Sequence, residues 1–335
     1  MSRLAPLAIS LGDPAGIGPE LIGAAWLQRA DAQLHPFFVV GGADLLTAAA
    51  ASRGQTLQIA RIDKPDEAFA VFDNALPVLG ALDCAYMPGQ PNRPGARVAL
   101  DSLDTATTLV IEGKASALVT GPIAKSHLAT IGFAHPGQTE FVAAACDIAA
   151  HDAVMMLAGP NLRTVPLTVH AALRDVPDLL TQELIVHRAT IVAEALARDF
   201  GVTAPRLAIC GLNPHAGEDG RFGREEREII APAIAALVAS GIRATGPHPA
   251  DALFAPHQRA CFDVAIAMYH DQALIPIKTL DFDAGVNVTL GLPIVRTSPD
   301  HGTAFAIAGK GQARPGALIA AIRMAGECAA RRAER

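Results

Sequence analysis

Short apolar runs of about four to eight residues alternate along this chain with longer stretches of helical period, and that alternation most constrains its fold. Runs too apolar to leave one face in water belong in a sheet covered on both sides, so the pattern predicts an α/β fold with a largely parallel sheet. Strands are expected to begin near Leu7, Phe37, Ala117, Val154, Val165, Leu207 and Val264. Helices are expected from Pro19 to Arg29, Arg97 to Gly113, Glu183 to Asp199, Glu225 to Ser240 and Pro315 to Arg332. The 335 residues suffice for two domains. No repeat, charge block or low-complexity segment separates them, so they are expected to be intertwined. The Pro/Gly-rich stretches Met87 to Gly95 and Gly246 to Pro249 read as surface connectors.

Composition narrows the function classes. The chain is 51% hydrophobic and only 18% charged, which leaves apolar surface to be covered between subunits. Its longest uncharged stretch near the middle, Ile229 to Ile242, is about 14 residues and falls short of a membrane span, so a soluble protein is expected. MSRLAPLAISL runs straight into GDPAG without a cleavage pattern and reads as a first strand, not a signal peptide. Cys84, Cys146, Cys210, Cys261 and Cys328 are odd in number and scattered, which fits reduced thiols and small core residues in a cytoplasmic protein. A net charge of −6 with 4% aromatic residues argues against a nucleic-acid binder and for small metabolites as partners.

Three histidines each end an apolar run: His170 in VPLTVHAALRD, His215 in LAICGLNPHAGE and His270 in DVAIAMYHDQ. Strand tips of an open α/β sheet are where side chains meet ligands, and three imidazoles there can hold a divalent metal that polarises an oxygen. The spacing matches neither a zinc finger nor an HExxH helix, so only the fold can gather them. A hydrogen-bonded loop histidine satisfies the same local pattern.

Further segments carry polar groups at turns. GDPAGIGPE, from Gly12 to Glu20, is a glycine turn opening a helix, suited to an anion or simply to ending a strand. In ALVTGPIAKSHL, Lys125 lies in a first helical turn, against the helix dipole, which points to an anion or to a solvated lysine. HPGQTE places Gln138 and Thr139 before the apolar helix from Phe141 to Cys146, with Thr139 read as its cap. The stretch from Lys278 to Lys310 gathers Lys278, Asn287, Arg296, Asp300, His301 and Lys310. Arg296, after the strand-like LPIV, suits bidentate capture of a carboxylate or phosphate. DHGTAFAIAGKG, with Asp300, His301 and Gly302, offers backbone approach to a cofactor adenine or diphosphate, or a tight structural turn.

GDPAGIGPE, TGPIAK, TEF, NPHAGE, MYHDQ and VNVTLGLPIVRTSPDHGTA with IAGKG together resemble the 4-hydroxythreonine-4-phosphate dehydrogenase family of pyridoxal phosphate biosynthesis, over nearly the full length. The resemblance implies two α/β/α domains similar to isocitrate and isopropylmalate dehydrogenases, divided approximately as 1–138 with 290–335 on the cofactor side and 139–289 for metal, substrate and dimerisation. It implies a homodimer with an active site between domains and across the subunit interface. His170, His215 and His270 are then metal ligands, one from the partner subunit. Gln138, Thr139, Lys278, Asn287 and Arg296 are substrate contacts, and Gly12, Asp300, His301 and Gly302 lie toward the cofactor. The implied reaction is NAD-dependent, or NADP-dependent, oxidation of 4-phosphohydroxythreonine at its C3 hydroxyl, then decarboxylation to 3-amino-2-oxopropyl phosphate, with zinc, magnesium, cobalt or manganese as Lewis acid. Lys278 is the expected proton-handling or charge-stabilising residue, and Asp251 is a further acid near the metal, or a helix cap.

Gln138 departs from the family, which places histidine there. Glutamine still donates a hydrogen bond but carries no charge, so a four-carbon sugar-acid phosphate such as threonate or erythronate 4-phosphate is the alternative substrate. A phosphometabolite-binding module with structural histidines is a competing class. A phosphatase or acyl transferase ranks below both, because no GxSxG elbow is present.

Overall fold

A computed structural model describes residues 4–334, so the opening Met-Ser-Arg of the first apolar segment lies outside the described residues. The chain runs through strands β1 (Leu7–Ser10), β2 (Phe37–Val40), β3 (Ile59–Ile62), β4 (Leu76–Leu79) and β5 (Leu118–Thr120). It continues through β6 (Val154–Ala158), β7 (Arg163–Pro166), β8 (Arg206–Cys210), β9 (Arg243–His248), β10 (Val264–Ala267) and β11 (Val286–Leu290), and returns with β12 (Arg296–Pro299). It forms two compact units, residues 1–153 with 292–335 and residues 154–291. The fold is α/β.

In the first unit the strand order is β3-β4-β2-β1-β5-β12, and every pairing is parallel. β1, β2, β4 and β5 are buried along their whole length, so both faces of this sheet are covered by helices. The helix Arg93–Ile111 begins at Asn92, whose side chain accepts from Gly95 N at 2.8 Å, with Pro94 in the first turn. It carries the fully buried Ser102, which accepts from Leu11 N at 2.9 Å and donates to Val40 O at 2.7 Å. One hydroxyl thereby ties the ends of β1 and β2, just before the glycine turn that β1 feeds.

The second unit runs β11-β6-β7-β10-β8-β9. β6 is antiparallel to β11 and β7, whereas β7, β10, β8 and β9 are parallel. Its core gathers Leu157, Ala208, Ala265, Ala267 and Ile277. The helix Gln182–Phe200 starts at Thr181, which accepts from Leu184 N at 3.1 Å, and stops at Gly201 in the left-handed conformation.

The strands β1, β2, β5, β6, β7, β8 and β10 and the long helices lie where periodicity puts them, while β4, β11 and β12 are not among the expected strands, and other departures have physical causes. β3 and β9 are edge strands, half exposed and bearing Arg61, Arg243 and His248, so they lack an apolar run. The Gly246 to Pro249 stretch, read as a connector, largely belongs to β9, where an edge tolerates Pro247. The LPIV read as a strand before Arg296 is irregular because Pro293 interrupts it, and the strand begins at Arg296 itself. The helix expected from Glu225 to Ser240 is a π-helical turn, Glu226–Ile230, followed by the α-helix Ala231–Ala239. Residues 139–153, assigned by sequence to the second domain, belong to the first unit, where Val142 and Ala143 pack with Leu118 and Ala106. None of the five cysteines forms a disulfide, but Cys261 is exposed and Cys84 and Cys146 only partly buried, so only Cys210 and Cys328 are core residues. No helix among the described residues is long and apolar enough to cross a membrane.

Replacing Ser102 by alanine leaves the Leu11 amide and the Val40 carbonyl unpaired in the core. The S102A variant should lose about 1–3 kcal/mol of stability, read as a lower urea midpoint at unchanged slope.

Candidate active site

The second unit positions the three histidines by sheet register. β7 and β10 pair with Val165 opposite Ile266 and Pro166 opposite Ala267. The pairing continues past the strands, with Leu167 N donating to Ala267 O at 2.8 Å and Thr168 Oγ1 to Met268 O at 2.8 Å. Two residues further on each chain, the rings of His170 and His270 lie 6.1 Å apart between centroids. β8 flanks β10 on its other side, and His215 follows it. All three imidazoles thus leave the carboxyl ends of neighbouring parallel strands, where open α/β sheets place ligands. Their ring nitrogens do not all lie within 4.8 Å of one another in one chain.

Each histidine is held by something the sequence pattern does not reveal. His270 opens the helix His270–Asp281, and its Nδ1 lies 2.7 Å from Asp271 Oδ1, so that contact does not use Nε2. Gln272 accepts from Met268 N at 2.7 Å and donates to Gly211 O at 2.8 Å, locking the tip of β10 to the tip of β8. His170 has a φ of 54°, in the left-handed region that an imidazole residue rarely adopts. His215 begins a run of five left-handed residues, His215 to Asp219, with φ values between 41° and 79°. Such a run costs roughly 1–2 kcal/mol per non-glycine residue.

The buried Glu226 repays that strain. Its Oε1 accepts from Asn213 N at 2.7 Å and its Oε2 from Asn213 Nδ2 at 3.0 Å, while Glu225 Oε2 accepts from the same amide at 2.7 Å. A Cβ on Gly217 would stand 2.6 Å from Glu226 Oε2, so glycine is required where the turn closes over the carboxylate. The π-helical turn from Glu226 brings both acids to bear on Asn213.

Lys278 lies two helical turns beyond His270, half-buried. Asn287 stands on β11 opposite Leu157, and its Oδ1 is buried without a hydrogen-bond partner. Asp251 is exposed in the first turn of the short helix Ala250–Leu253, whose N-cap is Pro249, so it is no cap.

The first unit holds a second polar cluster where Thr120 ends β5 and Arg296 begins β12. Arg296 is 3% exposed and its Nη2 donates to Thr120 Oγ1 at 2.7 Å. Burial pushes the guanidinium down to about 10, partly opposed by the charge of Glu140, so it stays cationic at neutral pH. Gln138 begins the helix Gln138–Ala145 and its Nε2 donates to Gly121 O at 2.9 Å. The amide orientation is fixed, because the reverse would face two oxygens; Oε1 is buried and unpartnered. The cap of this helix is Gly137, and Thr139 is its second residue. Lys125 starts the short helix Lys125–Ala129 and is exposed.

The segments expected at a cofactor divide. Gly12, at φ 73°, is pressed against Gly121, and a Cβ there would lie 2.8 Å from Gly121 C and Pro122 O. The protein backbone itself therefore occupies the close approach that this glycine permits. Gly302 is exposed with nothing near its Cβ position. His301 Nδ1 lies 3.1 Å from Gly302 O, and its Nε2 is buried without a partner. Asp300 follows β12 directly.

Residues 33–325 match the family described as pyridoxal phosphate biosynthetic protein PdxA. A 4-hydroxythreonine-4-phosphate dehydrogenase from Erythrobacter litoralis is 64% identical over 98% of each chain. One from Zymomonas mobilis is 54% identical over 97% of this chain and 96% of its own. The solved structure of 4-hydroxythreonine-4-phosphate dehydrogenase from Klebsiella pneumoniae superposes with a TM-score of 0.86 at 37% identity, covering 98% of both chains. Fold and relatives together define an oxidoreductase of the α/β class. Within that class, the chain belongs to the 4-hydroxythreonine-4-phosphate dehydrogenase family of pyridoxal phosphate biosynthesis.

Removing the Glu226 carboxylate leaves Asn213 and the left-handed run without their anchor. The E226A variant should lose about 1–3 kcal/mol and be cut faster by protease within residues 213–223, checked by limited proteolysis and peptide mapping.

Proposed function

We propose that the chain oxidises 4-phosphohydroxythreonine at its C3 hydroxyl with NAD, or NADP, and decarboxylates the product to 3-amino-2-oxopropyl phosphate. The full-length family match, joined to three imidazoles on adjacent strand tips, carries this reading. The donor set fits a divalent metal: His270 has Nδ1 engaged by a carboxylate, the second-partner pattern of a metal-binding histidine, with Nε2 as the ligand atom. His170, His215 and His270 would hold the ion, which supplies a Lewis acid at a substrate oxygen. Zinc, magnesium, cobalt and manganese all suit this role. The nicotinamide cofactor supplies the hydride acceptor and is assigned to the segment Asp300 to Gly311, with His301 Nε2 an unpaired buried group there.

The chain's own residues then have distinct tasks. Arg296, a buried cation, binds a phosphate or carboxylate oxygen that replaces its lost solvation. Asn287 Oδ1 accepts from a substrate N–H or O–H. Lys278 holds or moves the proton of the reacting hydroxyl. Thr139 and Gln138 contact the substrate from the helix that begins at Gln138. Gln138 presents a neutral acceptor, which suits a hydroxyl as well as an ammonium group, and threonate and erythronate 4-phosphates are therefore the alternative substrates. We further assign a cytoplasmic homodimer in which one of the three histidines comes from the partner subunit. The exposed Leu173, Leu179, Ile275 and Phe282 support that assembly.

Chelation should abolish NADH formation and a divalent metal restore it; full turnover of metal-free enzyme sinks the reading. The D271N variant should bind metal about 10–100-fold more weakly by titration calorimetry, with its fold kept by circular dichroism. Steady-state comparison of 4-phosphohydroxythreonine with the two sugar-acid phosphates should give the higher kcat/KM for the amino acid, and R296A should raise its KM about tenfold or more.

A further inference from the structure

The Gly12 to Glu20 turn and the segment from Asp300 to Gly311 are joined by main chain, with Ile17 N donating to Thr303 O at 2.9 Å. One turn further along the same helix, Glu20 is completely buried. Neither of its carboxylate oxygens makes a hydrogen bond of ordinary geometry, although the Gly309 amide is directed toward the carboxylate, and Arg53 Nη1 lies 3.8 Å from Oε1. That same Nη1 donates to Ala313 O at 3.0 Å, and Arg53 Nε is buried and unpartnered. Burial raises the Glu20 pKa, while the Arg53 charge and the Gly309 amide favour its ionised form. The carboxylate is thus faced by a cation that grips residue 313 and by the amide of residue 309.

A fully buried carboxylate with one loose ion pair gives up more solvation than the pair returns, so net stability does not explain it. Its geometry does something else: it aligns two groups that bracket the glycine-rich GKGQA stretch. We infer that Glu20 and Arg53 are a positioning pair, which sets the backbone of residues 303–313 in the form that receives the nicotinamide cofactor. This rests on the reading that Asp300 to Gly311 holds that cofactor. Glu20 acts through Arg53 and the Gly309 amide, and Arg53 acts through the Ala313 carbonyl; neither touches a reacting atom.

The test uses the full-length enzyme with its metal. The E20Q variant should raise the Kd for NADH, followed by nucleotide fluorescence, about fivefold or more. Amide hydrogen exchange should quicken in residues 303–313, while the KM for the hydroxy-acid substrate stays within about twofold. R53M should reproduce the shift, and the double variant should add little to either, because the two act as one unit. R53K, which keeps the charge beside Glu20, should recover part of the affinity, and R53M serves if E20Q does not fold. Unchanged NADH affinity in folded E20Q or R53M, or a lower Tm with no change in Kd or in exchange, overturns the inference. NADH should also protect residues 303–313 from exchange in the parent enzyme. Lack of that protection sinks the cofactor reading itself; protection with unaltered variants sinks only the positioning pair.

Discussion

The register of three parallel strands, β7, β10 and β8, is the constraint on which the placement of the three histidines depends. A parallel ladder aligns carboxyl ends, so residues a hundred positions apart in sequence arrive at one edge with no local signal to announce it. Thr168 continues the ladder beyond β7, and Gln272 bolts Met268 to Gly211 across to β8. These side chains grip main-chain groups, so the ladder and its side-chain ties together align His170 with His270.

Conformational strain is gathered at the same edge. His170 and His215 both sit in the left-handed region, and the run from His215 to Asp219 has only one glycine in it. Strain of this kind survives only where the surroundings over-determine it, and the Asn213, Glu225 and Glu226 network does so from a π-helical turn. Arg296 shows the electrostatic counterpart in the first unit: a desolvated guanidinium that faces the charge of Glu140. Both features cost stability in the free protein and leave groups disposed toward a ligand.

Interior strands such as β1, β2 and β10 were legible because burial on both faces writes a continuous apolar run. β3 and β9 were not, since an edge strand with arginines looks like a loop, and β11 and β12 were hidden in a stretch dense with glycine and charge. At the candidate site, the histidines could be picked out by their place after apolar runs. Gln272, Glu226 and Glu140 could not, because a polar side chain that serves the backbone has the same sequence appearance as one that faces water. Thr139 was read as a cap because its residue type favours caps, yet the extended backbone at Gly137 begins the helix two residues earlier.

The return of the chain to supply β12 bears on biosynthesis. β5 gains its second parallel neighbour only when residues 296–299 have been made, and the closing helix Gly316–Ala333 is later still. The stretch 154–291 is continuous and emerges complete from the ribosome while the amino-terminal sheet still exposes one flank of β5. Nascent chains of this enzyme therefore pass through an interval with an unpaired, apolar strand margin.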